Sequence, residues 1–172
     1  MVQVTAKQNV RDAVAPQRES IPPGWYHALI VAAKGGMTRS TKVGPKPLLT
    51  LEIEYQIVKT DAASVITGED DKKYAGRRVW QAYILEEITT NPSWSQGESF
   101  RIQQLIAATH IEHAFAVDGS VSFNSDHLVN KGVKININQK LGTPKQPNDP
   151  VPVFNNIERV DSIEQVPDSK LV

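Results

Sequence analysis

The chain has 172 residues, no cysteine, 40% apolar and 22% charged side chains, and 19 Lys and Arg balanced by 19 Asp and Glu. That length suits one domain with a real hydrophobic core, and the missing cysteines exclude disulfides, thiolate metal sites and a Cys nucleophile while fitting a reducing cytosol. No run approaches the roughly 18 apolar residues of a membrane span, and residues 1–20 hold no continuous apolar stretch of a secretory leader, so a soluble cytoplasmic protein is expected.

Residues 1–20 are polar and weakly patterned, which predicts a flexible N-terminal arm. Ile21-Pro22-Pro23-Gly24 then punctuates sharply and opens a domain expected over 21–160. Trp25–Ala33 is a first strand, and Lys34–Pro47, rich in Gly and Pro, a loop. Leu49, Leu51, Ile53, Tyr55 and Ile57 alternate with Thr50, Glu52, Glu54 and Gln56, the period of a half-buried strand with its carboxylates on the wet face. Asp61–Gly76 is a polar excursion carrying Glu69-Asp70-Asp71, and Arg77–Leu85 a third strand.

Asn91–Gly97 reads as a turn. Ser95-Gln96-Gly97-Glu98 fits a capping box and predicts a helix over 98–109, with Phe100, Ile102, Leu105, Ile106 and Thr109 as its apolar stripe. A short turn is expected at Asp126–Asn130. Val133, Ile135 and Ile137 alternate with Lys134, Asn136, Asn138 and Lys140, a fourth strand. The loop Gly142–Pro152 leads to a fifth at Val153–Val160. Residues 161–172 read as a disordered C-terminal tail. The order β-β-β-α-β-β is that of a mainly β OB-fold, a partly open five-stranded barrel with one helix between strands 3 and 4.

The charge is unevenly spread. Twelve of the Lys and Arg residues fall in three stretches without Asp or Glu: Lys34, Arg39, Lys42 and Lys46; Lys72, Lys73, Arg77 and Arg78; Lys131, Lys134, Lys140 and Lys145. A polyanion responds to the local field and not to the sum, so a net charge of zero does not exclude one. The first stretch lies between strands 1 and 2, and the third runs along strand 4 into the loop before strand 5. In an OB-fold those two loops flank the oligonucleotide-binding face.

Single-strand binders stack bases on exposed rings beside a cationic track. The candidate rings are Trp25, Tyr26, Tyr74, Trp80 and Tyr83. Trp80 and Tyr83 are an odd number of residues apart on one strand, so they cannot both face the core. Glu52 and Glu54 would repel phosphates unless they point away from the cleft.

Catalytic patterns are absent. His110-Ile111-Glu112-His113 lacks the i, i+4 histidine spacing of a zinc-protease helix, Gly44-Pro45-Lys46 misses the phosphate-loop spacing, and no serine sits in a nucleophile elbow. Glu69-Asp70-Asp71 reads as a solvated acidic loop. A non-enzyme without metal or cofactor is expected.

Ile21–Ala33 (IPPGWYHALIVAA), Thr41-Lys42-Val43-Gly44 with Leu49–Ile53 (LTLEI), and Gly76–Trp80 (GRRVW) follow the order of a phage-encoded single-stranded DNA-binding family, formerly a domain of unknown function. The helix segment Phe100–Ala108 and Lys131-Gly132-Val133 also resemble its later segments. The resemblance implies an OB-fold that protects or organises single-stranded DNA during replication or recombination, in the cytoplasm of an infected bacterial host. It implies roles for Lys42, Lys46, Arg77, Arg78 and Trp80, and partners among replication or recombination proteins, with oligomers compatible. Two departures stand out. The insertion Asp61–Lys73 is long, and the tail sets Asp161, Glu164 and Asp168 against Lys170, only mildly acidic for partner recruitment. The alternative is an all-β phage structural or assembly protein whose basic loops bind a protein partner.

Overall fold

The computed structural model describes residues 20–39, 47–58 and 73–163, with isolated positions 3–5, 8 and 11 before them. The expected N-terminal arm (apart from those few positions), Lys42, Lys46, Lys72, Glu69-Asp70-Asp71 and residues 164–172 lie outside the described residues.

The chain is mainly β. Five antiparallel strands, β1 (Gly24–Arg39), β2 (Leu48–Ile57), β3 (Arg78–Ile84), β6 (Gly132–Leu141) and β7 (Val153–Ser162), form one sheet in the order β3-β2-β1-β6-β7. A helix, α1 (Pro92–Thr109), follows β3, and a small hairpin, β4 (His113–Phe115) with β5 (Val121–Phe123), stands between α1 and β6. A single 3-10 turn, Ser125–Leu128, precedes β6. The edge strands β3 and β7 come alongside each other with no ladder between them, so the sheet is open. Among the described residues no helix is long and apolar enough to cross a membrane.

Period-two patterning builds the core. Tyr26, Ala28 and Ile30 of β1, Leu51, Ile53, Tyr55 and Ile57 of β2, and Val133, Ile135 and Ile137 of β6 all turn to one face and are buried. Leu105, Ile106 and Ala108 of α1 close over them. Register pairs such as Tyr26 with Ile135 and Ile30 with Tyr55 keep the apolar rows in line.

Several expectations need correction. β1 does not stop at Ala33 but runs on to Arg39, so Lys34 and Arg39 are strand residues and not loop residues. Register shifts between Ile30 and Ala32 and between Lys34 and Met37 carry the strand through Gly35-Gly36, with Gly36 at φ 77°, a conformation suited to glycine. The helix starts six residues earlier than the capping-box spacing predicts. Asn91 is the N-cap, its side chain accepting from the Trp94 amide at 3.2 Å, and Pro92 supplies the pre-set φ of a first helical residue. Ser95 instead accepts from the Ile88 amide, and Phe100, assigned to the apolar stripe, is exposed. Asp161 and Ser162, assigned to the tail, are buried in β7. The β4–β5 hairpin has no counterpart in the expected elements.

The wet face of β2 is also corrected. Glu52 and Glu54 do turn away from the core, yet both are only 8% exposed, as is Thr50 at 1%. Glu54 is paired with Arg78 of β3 at 3.1 Å, and Glu52 sits in register with Lys34 of β1.

Inside the core the Tyr55 and Tyr83 hydroxyls meet at 2.7 Å. Burial pushes Tyr83 up to about 12 and Tyr55 well above its ordinary value. An unfolded phenol ionises near pH 10, so above that pH the unfolded chain loses protons that the folded chain keeps. The pair's contribution is therefore complete below about pH 10 and is lost as pH rises through the folded values. Chemical denaturation between about pH 9 and about pH 12 should show a steep fall in stability that is shallower in Tyr83→Phe. Equal slopes would mean that these phenols ionise freely in the folded state.

Candidate nucleic-acid interface

The outward face of the sheet holds most of the described candidates. On β3, Arg78, Trp80 and Ala82 alternate outward while Val79 and Tyr83 face the core. Trp80 is 52% exposed, whereas Tyr83 is 1% exposed, so the odd spacing resolves with Trp80 outside. Trp80 lies opposite Glu54, which in turn lies opposite Ala32 of β1, and Ala82 lies opposite Glu52. Lys34 is exposed on this side of β1, next to Glu52 in the ladder.

The other four rings are unavailable at the surface, Tyr74 among them at 4% exposed. Tyr26 and Tyr83 are core residues, and Trp25, although on the outward side, is only 6% exposed. Tyr26 donates from its hydroxyl to the Pro22 carbonyl at 2.8 Å and meets Tyr74 edge-on, which fixes both rings. These positions stabilise the domain; bases cannot reach them without unfolding it. Strand alternation alone could not show this for Trp25, because burial of the outward face depends on tertiary cover.

The cations divide into two groups. On the strand that carries Trp80, Arg78 is exposed and bound to Glu54, with Arg77 half-buried just before it; Lys73, also exposed and earlier in the chain, holds its ammonium 5.3 Å from the Tyr74 ring centre. Arg39 ends β1, and its side chain lies outside the described residues. Lys140 and Lys145 are exposed at the far end of β6 and in the following loop. Between Ala32, level with Trp80, and Lys140 lie about 11 strand positions, roughly 35 Å of extended chain. Among the described residues the three basic stretches therefore do not gather around one ring.

Lys134 is the largest departure. Its expected polar face is covered, leaving it 3% exposed, in register with His27 of β1 and Asp161 of β7. Burial lowers its pKa, and the Asp161 carboxylate opposes that shift. Asp161 also accepts from Arg159 at 3.2 Å. Lys134 thus belongs to a covered polar row and offers no charge to a ligand at the surface.

Exposed rings that spacing does not single out are Phe100, Phe115 and Phe154. Phe154 lies opposite Lys140 in the β6–β7 ladder. The exposure of Phe154 follows from strand register and that of Phe115 from the unpredicted hairpin, neither of which leaves a local signal in the sequence, while Phe100 stands on the open side of α1.

Among the described residues no group of three or more His, Asp or Glu side chains is placed to hold a metal ion. His110 ends α1 in the left-handed region at φ 54°, and His113 is bonded to the Ile111 carbonyl at 2.9 Å, so this His-Ile-Glu-His run terminates a helix. Compared with known proteins, no family model matches the chain, and neither does any curated protein.

Proposed function

We propose that the protein is a non-catalytic, largely sequence-independent single-stranded DNA binder. The observation that carries this reading is Trp80, a large aromatic ring half-exposed on the outward face of the edge strand β3, with Arg78 two residues away on the same face and Arg77 just before the strand. A flat ring offers every base the same stacking surface, while neighbouring guanidiniums take phosphates. The strand order β3-β2-β1-β6-β7 with a helix after the third strand supports an OB-fold whose β3 and β7 edges are drawn together without pairing. In that fold the outward face of the second and third strands is the oligonucleotide surface, the face on which Trp80 stands.

Glu52 and Glu54 share that face and would repel phosphates. Their repulsion is muted because Glu54 is already paired with Arg78 and Glu52 neighbours Lys34 in the ladder. Lys42, Lys46 and Lys72, which precede and follow β2 in the sequence, would extend the cationic track. The biological setting that fits is protection or organisation of single strands in replication or recombination, with proteins of those processes as partners.

The test is the salt dependence of oligo(dT) binding, followed by fluorescence anisotropy. Arg77→Ala with Arg78→Ala, made in a Glu54→Gln background so that no bare carboxylate remains, should flatten the log–log slope by about 0.7 for each phosphate no longer neutralised. Unchanged affinity and slope would remove the start of β3 from the interface.

A further inference from the structure

A second surface has the opposite character. An open groove of about 1580 Å³ runs between α1, the ends of β1 and β3, and the β4–β5 hairpin. Its apolar walls include Phe100, Phe115, Phe123 and Ile102, and Phe115 is 63% exposed. Its charged lining residues are Glu86, Glu87 and Asp118, with no Lys or Arg among the described ones. An apolar surface of this kind, rimmed by charge of one sign, marks a contact site for a complementary protein surface.

The complementary surface is on the same chain. The end of the β6–β7 hairpin exposes Leu141 (76%) and Val153 on one face and Phe154 (58%) on the other, with Val151 in the loop between the strands, and carries Lys140 and Lys145 against one carboxylate, Asp149. Gly142 shapes it, since a side chain there would run into the Phe154 ring and into Pro152. This prong is apolar and basic where the groove is apolar and acidic.

Within one molecule the hairpin end does not enter the groove, none of whose lining residues comes from residues 140–154. The groove takes in Gly35 of β1, while the prong extends beyond Ile137, the ladder partner of Gly24 at the other end of the same strand. Eleven residues of β1, about 35 Å of extended chain, separate those ends. We propose that the β6–β7 hairpin end of one copy seats in the α1/β4–β5 groove of a second copy, giving a heterologous, head-to-tail contact. Such contacts repeat into rings or open strings of subunits. Self-association of this kind is separable from base stacking, because Trp80 lines neither the groove nor the hairpin end.

The experiment is sedimentation velocity of the full chain over a wide concentration range, without DNA. Wild type should grow in mean mass with concentration. Phe115→Asp in the groove and Leu141→Asp on the prong, both exposed and checked for folding by circular dichroism, should each weaken self-association at least about tenfold. An equimolar mixture of the two variants should form a dimer and stop there, because only one intact prong–groove pair remains. Wild type that stays monomeric, either variant assembling like wild type, or a mixture that stays monomeric would each overturn the proposal. So would Leu141→Asp weakening oligo(dT) binding while self-association is untouched, which would assign the hairpin end to nucleic acid.

Discussion

Replacing Trp80 by alanine is expected to weaken oligo(dT) binding by about 5- to 150-fold, the equivalent of one stacked base at about 1–3 kcal/mol. The ring is 52% exposed and on an edge strand, so its loss should leave the fold intact. Trp80→Phe should retain part of the affinity because a smaller π-face remains. Trp25→Phe is the matched control. That ring is covered, so its change should register in stability and not in binding. Equal binding by wild type and Trp80→Ala would remove the stacking platform and with it the main support for a nucleic-acid role.

The second large effect is on stability and concerns Arg101. Its guanidinium lies 5.3 Å from the Tyr83 ring centre on β3, donates to the Ile157 carbonyl of β7 at 3.2 Å, and pairs with Glu98 at 3.2 Å. Glu98 in turn accepts from the Ile84 amide at 3.4 Å. One helix residue thus links the two edges that no ladder joins. Arg101→Ala should cost about 2–3 kcal/mol, because it leaves a nearly buried carboxylate without its cation. Glu98→Gln added to Arg101→Ala should recover part of that loss, since the unpaired charge is then gone. Urea denaturation measures both. A loss near the few tenths of a kcal/mol of an ordinary surface pair would mean that the seam between β3 and β7 does not depend on Arg101.

Periodicity made the strands legible. The alternation at Leu49–Ile57 and Val133–Ile137 corresponds to β2 and β6, and the odd spacing of Trp80 and Tyr83 gave their opposite orientations a geometric reason. What periodicity cannot carry is cover. Glu52, Glu54 and Lys134 alternate as wet residues do, but side chains on the neighbouring strands crowd beside them and leave them buried. Local signals also competed. Ser95 and Glu98 have capping-box spacing, but Asn91-Pro92 upstream is the stronger helix start and frees both side chains to bind the amides of Ile88, after β3, and of Ile84, its last residue. Gly35-Gly36 looks like a loop in sequence; in the fold it is an irregularity within a long strand.

The distance between basic groups was likewise beyond reach of the sequence. Arg78 and Lys140 are both on strands and both turned outward, but only the ladder registers show that they stand at different ends of the sheet. That separation divides the surface into an aromatic, cationic region around Trp80 and a hairpin end with its own apolar character.

The most direct measurement is a titration of the wild-type chain with oligo(dT) and with a duplex of equal length, followed by intrinsic tryptophan fluorescence at low and moderate salt. The expected result is quenching by the single strand with micromolar or tighter affinity, a steep loss of that affinity with salt, and much weaker binding of the duplex. No fluorescence change and no binding of oligo(dT) at low salt would contradict it.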